Sequence, residues 1–353
     1  MRQRSPLIFS GNNYLGLANN QEIVGKVASA LREYGNSFSA SRKTTGTHEI
    51  HIQLEKQLSE FKQSEQSMVF ATGYLGNSLL VRALRKENTL VLADAQSHPS
   101  IIDSIPKDQV GLYAHQDCDH LETLLKKYDS KDLIIMTDGV FALTGEIAPL
   151  DSLHELAIRY GATLVVDDAH ATGVLGENGR GTPEHFRLHG SNYIYQSETM
   201  SKALGSYGGF IAADTLTIEK IRTESSFYVA STALPPAIVL ASLFSLQYLT
   251  QHPELRVKLL YNARKIKDGV SSLGFATTRD HTPIIPLFFK EVKQAEQLSQ
   301  YLEKMGFVVP AIKYPIQMEQ SIVRITTNAL HTSDEIEQLL FTLKKWTHEH
   351  PAH

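Results

Sequence analysis

A lysine, Lys202, stands among hydroxyls and small residues in the segment TMSKALGSYG (199–208). The segment follows an apolar run that predicts a strand, so the amine lies at a strand end, where it can form an imine with a carbonyl compound. The Thr199 and Ser201 hydroxyls can donate to phosphate oxygens, and desolvation beside another cation would make the amine nucleophilic near neutral pH. Taken alone, the segment fits a solvated lysine in a Gly/Ser loop equally well.

Two carboxylates and a histidine close another apolar run, VVDDAHATG (165–173). An acid at a strand end, Asp167, can pair with a protonated pyridine nitrogen and so make that ring an electron sink. His170, three residues later, can hydrogen-bond a phenolic oxygen of the same ring. Asp167 or Asp168 can instead cap the next helix. A metal site is not predicted, because no second histidine or carboxylate stands at ligand spacing.

Two weaker signals precede these segments. The run ATGYLGN (71–77) is a glycine-containing turn that enters a helix, where backbone N–H groups attract an anion. An ordinary helix start has the same pattern. In DAQSH (94–98), His98 can stack on an aromatic ring, although a structural histidine would look the same.

The elements that must position these residues alternate between strands and helices. Short apolar runs predict strands at 89–94, 133–139, 163–170, 192–197 and 208–213. Ile50, Leu54, Leu58 and Phe61 give the segment 48–61 the apolar face of a helix, and the segment 151–160 is also helical in pattern. This alternation predicts a mostly parallel sheet covered on both faces, with its ligand beyond the carboxyl ends of the strands.

The last third has a different pattern. An apolar helix is predicted at 236–249, strands at 283–289 and 322–326, and a final helix after the capping box TSDE (332–335). We therefore predict an α/β protein with a large cofactor-binding domain at 1–235 and a smaller α+β domain at 236–353. The N-terminal segment 1–35 is expected to pack against the smaller domain.

Composition narrows the class of partner. The chain has 353 residues, with 34 basic and 38 acidic side chains and a formal net charge of −4, so no basic field favours a nucleic acid. One cysteine allows no internal disulfide and disfavours a cysteine metal site. The apolar stretch 237–246 is too short to span a bilayer, and the start of the chain does not resemble a signal peptide. A cytoplasmic protein with a small-molecule partner is expected.

The order of these features resembles the α-oxoamine synthases. These are fold-type-I enzymes dependent on pyridoxal 5'-phosphate (PLP), which condense an amino acid with an acyl thioester and release CO2. Blocks that resemble the family occur, in order, at 13–17, 41–42, 46–48, 51, 94–103, 138–141, 147–150, 167–182, 199–208, 231–236, 323–325 and 331–332. The resemblance implies a seven-stranded, mostly parallel sheet and a homodimer.

The family's roles transfer to matching positions. The resemblance implies that Lys202 is the Schiff-base lysine and proton-transfer group, that Asp167 holds the pyridinium nitrogen and that His170 holds the 3'-oxygen. It also implies ring stacking by His98, phosphate contacts from Gly73, Tyr74 and Thr199, a further phosphate hydroxyl from Ser231 or Thr232 of the partner subunit, and contacts of Asn13 and Arg324 with the amino-acid carboxylate.

Two departures concern the acyl donor. The chain has Phe141-Ala142-Leu143-Thr144-Gly145 where the family usually has Phe-Ser-Met-Asp-Gly, so a hydroxyl is missing at Ala142. In AIKYPI (311–316), Ile316 replaces a threonine used for substrate contact, and Lys313 is the one cation. A pimeloyl carboxylate needs a charged partner, which these changes put in question.

The expected activity is that of 8-amino-7-oxononanoate synthase of biotin biosynthesis, with L-alanine and a pimeloyl thioester on CoA or a carrier protein. This choice rests on that activity being the commonest among bacterial members. The open alternatives are glycine C-acetyltransferase, 5-aminolevulinate synthase and serine palmitoyltransferase activities. A PLP aminotransferase and a catalytically silent homologue are the alternatives of another class.

Overall fold

The computed structural model describes residues 6–129, 131–312 and 320–350. Its contacts divide the chain into two compact units. The larger unit comprises Leu17–Val140 and Ala148–His252, and the smaller unit comprises the described residues of Met1–Gly16, Phe141–Ile147 and Pro253–His353.

The larger unit is built on a seven-stranded sheet. Its strands are β2 (Gln66–Phe70), β3 (Thr89–Asp94), β4 (Val110–Tyr113), β5 (Asp132–Asp138), β6 (Thr163–Asp167), β7 (Ile194–Thr199) and β8 (Gly209–Ala213), in the order β2-β8-β7-β6-β5-β3-β4. Strand β8 is antiparallel to both neighbours and every other pair is parallel. All residues of β3 and β8 are buried, as expected for strands covered on both faces. The predicted α/β class is confirmed.

The helices of the larger unit lie before, between and after these strands in the chain. They are α1 (Gln21–Tyr34), α2 (Glu49–Lys62), α3 (Tyr74–Leu84), α4 (Pro99–Ile102), α5 (Cys118–Lys127), α6 (Leu150–Tyr160), α7 (Thr182–His185), α8 (Thr215–Glu224), α9 (Ser226–Ala230) and α10 (Pro236–Gln251). A 3-10 turn at Leu17–Asn19 precedes α1. The predicted helix at 48–61 is observed as α2, one residue displaced at each end.

The observed boundary between the units differs from the predicted one at 235/236. Helix α10 packs against α1 and α2 and therefore belongs to the larger unit. The segment 1–35 is also divided, because α1 lies in the larger unit whereas the residues up to Gly16 lie in the smaller one. The hydrophobic pattern of the sequence predicts an apolar helix, but it does not show which of the two hydrophobic cores the helix packs against.

The smaller unit has two small sheets. Its elements are β1 (Leu7–Ile8), α11 (Glu254–Ser272), β9 (Ile284–Phe289), α12 (Val292–Lys304), β10 (Phe307–Val308), β11 (Ala311–Ile312), β12 (Ser321–Thr326) and α13 (Ser333–Glu349). Strands β11, β12 and β9 form an antiparallel sheet, and β1 pairs in parallel with β10. The predicted capping box opens α13: Thr332 Oγ1 accepts from the N–H of Glu335 at 3.2 Å, and a Glu335 carboxylate oxygen accepts from the N–H of Thr332 at 2.8 Å.

Among the described residues, no helix combines the length and the apolar character needed to cross a membrane.

Candidate active site

Four parallel strands end in polar side chains at one edge of the larger unit's sheet. Asp94, Asp138, Asp167 and Thr199 are the last residues of β3, β5, β6 and β7. Asp138 is paired with Asp167, and Asp167 is paired with Ser197 of the next strand. All four of these side chains are buried. Polar groups therefore lie together at the carboxyl ends of the strands, where parallel sheets bind ligands.

The carboxylate of Asp167 is held by an amide. Asn77 Nδ2 donates to Asp167 Oδ2 at 2.7 Å and to Ser100 Oγ at 3.0 Å. The N–H of Ala169 donates to the other oxygen of Asp167 at 3.2 Å. These two hydrogen bonds hold the carboxylate in one orientation at the end of β6.

The neighbouring Asp168 serves a different purpose. Its carboxylate accepts from the first N–H of α7, that of Thr182, at 3.1 and 3.0 Å, and lies 3.3 Å from Lys62 Nζ. The alternative of a carboxylate at the start of the next helix therefore applies to Asp168. Asp167 remains the residue that closes β6.

His98 begins α4 and lies close to charged groups. Its Nδ1 accepts from the N–H of Ser100 at 3.2 Å and lies 2.8 Å from Ser100 Oγ. Burial lowers the pKa of His98 below its ordinary value, with Asp167 raising it and Lys202 lowering it. The ring is therefore neutral near pH 7, with its proton on Nε2. A neutral flat ring in this place suits stacking on a cofactor.

Asp138 lies next to these groups. One of its oxygens accepts the N–H of His98 at 2.9 Å. Burial first, and the nearby Asp167 charge second, raise the pKa of Asp138 well above its usual range. Asp138 therefore keeps its proton to a higher pH than a free carboxyl group does, and it lies beside the Asp167 that Asn77 holds.

Lys202 lies half-buried in the turn between β7 and β8. The turn is closed by hydrogen bonds of 2.9 Å from the N–H of Met200 to the carbonyl of Gly208, from that of Gly205 to Lys202, and from that of Ser206 to Met200. Gly205 has φ +61°, and a Cβ there would lie 2.2 Å from the backbone nitrogen of Ala18. Glycine is thus required for the close approach that fixes this turn.

A glycine cradle faces Thr199. Gly73 precedes the first residue of α3, and a Cβ at Gly73 would lie 2.9 Å from Thr199 Oγ1. Thr199 Oγ1 lies 2.8 Å from Ser201 Oγ. A helix start against two hydroxyls suits a phosphate, because the helix dipole and the donors attract the same anion. Tyr74 is exposed at this helix start, where its hydroxyl donates to Asp103 and its ring meets His98 edge-on.

The predicted partner-subunit hydroxyls lie on an exposed segment. Ser231 and Thr232 are both exposed, and Thr232 forms a bridge with Ser41. The N–H of Ala233 donates to the carbonyl of Ala40 at 2.9 Å. The segment is therefore ordered by its own chain, with its hydroxyls outward.

The predicted carboxylate contacts lie in the smaller unit. Arg324 in β12 is buried; its Nε donates to the carbonyl of Ala142 at 2.7 Å and its Nη2 to Asn12 Oδ1 at 3.3 Å. Burial raises the pKa of Tyr14 to about 12, against the opposing charge of Arg324. Asn13 stands between Asn12 and Tyr14 in the same turn. Lys313 and Ile316 lie outside the described residues.

The family model for class I and II aminotransferases matches residues 5–343. The 8-amino-7-oxononanoate synthase of Thermoanaerobacter pseudethanolicus is 38% identical over 341 residues, which cover 95% of this chain and 86% of that protein. The chain belongs to the family of class I and II aminotransferases. Within it, the chain is an α-oxoamine synthase, a PLP-dependent acyltransferase, and its fold is that of a fold-type-I PLP enzyme.

Solved structures agree with this assignment. An 8-amino-7-oxononanoate synthase from Francisella tularensis superposes with a TM-score of 0.84 at 27% identity, covering 98% of both chains. A serine palmitoyltransferase from Sphingomonas wittichii superposes with a TM-score of 0.93 at 27% identity, covering 99% of this chain and 88% of that one.

The residues of the larger unit fit PLP. The strand-end Asp167, the neutral His98 and the Gly73 cradle offer an acid, a flat ring and an anion site, and Lys202 lies near enough for its charge to act on His98. Asn77 and Ser100 had no predicted role, because their function depends on the contact of α3 and α4 with a strand end far along the chain. Among the described residues, no group of three histidine, cysteine or acidic side chains is arranged to hold a metal ion.

Proposed function

We propose that this α-oxoamine synthase condenses L-alanine with a pimeloyl thioester, as an 8-amino-7-oxononanoate synthase of biotin biosynthesis. A bond forms between the alanine Cα and the thioester carbonyl carbon, and the thiol and CO2 leave. The similarity to 8-amino-7-oxononanoate synthases over nearly the whole chain supports the choice within the family. The observation that carries the chemistry is the Asp167 carboxylate, held by Asn77 at the strand edge that also bears Lys202.

The proposed roles are those that the resemblance to the family implies, and the positions of Asp167, His98 and Gly73 support them. Lys202 would hold the cofactor covalently and would move the proton at the substrate Cα, while Asp167 would keep a proton on the pyridine nitrogen. When bound, PLP supplies a ring that withdraws electrons from that carbon. His98 would pack on the face of the cofactor ring, and His170 would bind the 3'-oxygen. The phosphate would be held by Gly73, Tyr74 and Thr199.

The substrate carboxylate is assigned to Asn13 and Arg324. A planar guanidinium binds a carboxylate through two parallel hydrogen bonds, which lysine cannot reproduce. The bond from Arg324 Nε to the carbonyl of Ala142 fixes the plane of the group.

The proposed unit is a homodimer, in which Ser231 or Thr232 of one subunit reaches the phosphate bound by the other. The exposure of both hydroxyls on an ordered segment supports this role. Two-fold dimers are also the commonest oligomers of soluble proteins. The proposed compartment is the cytoplasm, as the composition predicts.

The acyl donor is the finer part of the proposal. Ala142 lacks the hydroxyl usual in the family, and its carbonyl is occupied by Arg324. We infer a preference for a long acyl chain that is neutral at its far end, such as a pimeloyl methyl ester on a carrier protein. An unpaired buried carboxylate would be costly.

One panel assay tests both the proposed activity within the family and the proposed preference for an acyl donor. Alanine, glycine and serine are each combined with acetyl, succinyl, pimeloyl, methyl-pimeloyl and palmitoyl thioesters, and free thiol and CO2 are measured. The proposal expects the highest kcat/KM with alanine and a methyl-pimeloyl donor. A higher value for free-acid pimeloyl-CoA, abolished in Lys313→Ala, would show that a charged clamp is present. A glycine or serine optimum would move the chain to a sister activity.

A further inference from the structure

A fully buried charge cluster lies behind the cofactor side of the sheet. Lys62, the last residue of α2, has no exposed side-chain surface, and neither have Asp168 and Glu198. Its Nζ lies 3.3 Å from Asp168 Oδ2 and 2.5 Å from Glu198 Oε1. It also donates to Thr172 Oγ1 at 2.9 Å and to the carbonyl of Arg180 at 2.5 Å. One ammonium therefore joins two carboxylates and a loop.

Each carboxylate of this cluster is the chain neighbour of a residue at the cofactor edge. Asp168 follows Asp167, and Glu198 precedes Thr199. Asp167 contacts Asn77 of α3, whereas Asp168 contacts Lys62 of α2, so the two side chains point to different sides of the sheet. A displacement of Asp168 or Glu198 would move the backbone that carries its neighbour.

The loop that carries His170 is fastened to the same cluster. Thr172 Oγ1 donates to Glu198 Oε2 at 2.6 Å, and the N–H of Thr182 donates to Asp168. At Gly181, where φ is +101°, a Cβ would lie 1.7 Å from Asp168 Oδ2, so only glycine allows the loop to close on the carboxylate. The ends of β6 and β7 and the intervening loop thus meet at Lys62.

The charges of this cluster make its structure sensitive to the loss of Lys62. Burial alone would lower the pKa of Lys62, but Glu198 and Asp168 outweigh it and hold that pKa above its ordinary value. Burial raises the pKa of Glu198 to about 7 despite Lys62. Two carboxylates depend on one cation, so removal of that cation leaves buried charge that the structure must relieve by moving or by protonation.

We propose that Lys62, Asp168 and Glu198 are positioning residues, which set the orientation of bound PLP from the far side of the sheet. The proposal rests on the cofactor roles given above for Asp167, His170 and Thr199, and is independent of which acyl donor is used. Because a misplacement of about 1 Å can cost roughly 100-fold in rate, small shifts of these strand ends would be visible in turnover.

The test uses the holoenzyme of Lys62→Met, whose side chain has similar length and no charge. Bound PLP is quantified per subunit, and the circular dichroism of its visible band reports ring orientation without substrate. The expected result is near-normal PLP content, a dichroic band reduced to less than about half, and kcat lowered about 10- to 100-fold with KM for the amino acid within about threefold. Lys267→Met is the matched control, since Lys267 is also buried and bonded to Thr278 and a carbonyl, but in the smaller unit.

A dichroic band and kcat in Lys62→Met equal to those of Lys267→Met would overturn the proposal and leave the cluster a purely structural role. Should Lys62→Met not fold, Thr172→Val removes the two hydrogen bonds of Thr172 Oγ1, to Lys62 and to Glu198, and no charge. A weakened band at full PLP content in that variant supports positioning, and wild-type values reject it. Because no thioester is present in the dichroism measurement, its outcome is separate from any failure of the assigned acyl transfer.

Discussion

Asn77 Nδ2 lies 2.7 Å from Asp167 Oδ2, so an amide from the first helical turns of α3 holds a carboxylate that is 90 residues away in the chain. The amide orients the carboxylate and leaves its other oxygen with a backbone N–H donor at 3.2 Å. The two donors hold the Asp167 carboxylate in one orientation at the end of β6.

Asp167→Asn is expected to impair turnover much more than cofactor binding. The phosphate and stacking contacts remain, but the charge opposite the pyridinium nitrogen is lost, at a cost of roughly 3–5 kcal/mol in the activation barrier. Steady-state kinetics and PLP content measure the two effects separately. Asp214→Asn is the control, because Asp214 caps α8 and asparagine caps equally well. Near-normal turnover of Asp167→Asn would remove the assigned role.

Lys202→Ala is expected to lose the reducible covalent link to PLP. The wild-type protein should be yellow and should carry PLP on one lysine after borohydride reduction, as peptide mass spectrometry can establish. Lys220→Ala, which removes an exposed lysine of α8, should label like the wild type. Labelling of another lysine, or of none, in the wild type would contradict the central assignment.

Activity is expected to return when two inactive variants are mixed. If Ser231 and Thr232 act across a dimer, then Lys202→Ala chains and chains with Ser231→Ala and Thr232→Ala would form hybrids with one complete site. Random mixing of equal amounts makes half of the dimers hybrid, so about a quarter of wild-type activity should return. A chain with all three substitutions mixed with Lys202→Ala should recover nothing. An active monomer in sedimentation, or no recovery in the hybrids, would argue against the shared site.

The buried Glu198 is expected to make stability fall between pH 5 and pH 8. Burial raises its pKa from 4.5 to about 7, so the folded state holds a proton that the unfolded state has lost across this range. The stabilisation is complete below the unfolded pKa and disappears as pH rises through the folded pKa. Glu198→Gln, which cannot titrate, should gain up to about 3 kcal/mol on the wild type from pH 5 to pH 8. Denaturant unfolding at both pH values measures this, and parallel curves would refute the prediction.

The sheet and the acid–histidine segment could be predicted from sequence because their signals are local. Apolar runs ending in polar residues predict strands such as β3 and β6, and the order of motifs around Lys202 indicates the family. The role of Asn77 could not be predicted, since an amide on a helix becomes meaningful only when the fold places it against Asp167. Lys62 is similar, because a lysine at a helix end is normally solvated.

The assignment of α10 shows another limit. Its composition correctly predicts a buried helix, but apolar residues on most of its surface fit either core. Only its packing against α1 and α2 decides the matter. Strands β2 and β4 were missed because their residues, QSMVF and VGLY, do not form a clear apolar run.

The pairing of β1 with β10 has a consequence for how the chain is made. Leu7 and Ile8 pair with Phe307 and Val308, some 300 residues later in the chain. The larger unit lies between Leu17 and His252, except for Phe141–Ile147, which belong to the smaller unit. On the ribosome, the larger unit can therefore assemble while the partner strand of Leu7–Ile8 is still untranslated. Leu7 and Ile8 would therefore pair late although they are made before the larger unit, and until then their strand and Phe9, which is buried in the folded chain, would be open for a chaperone to shield.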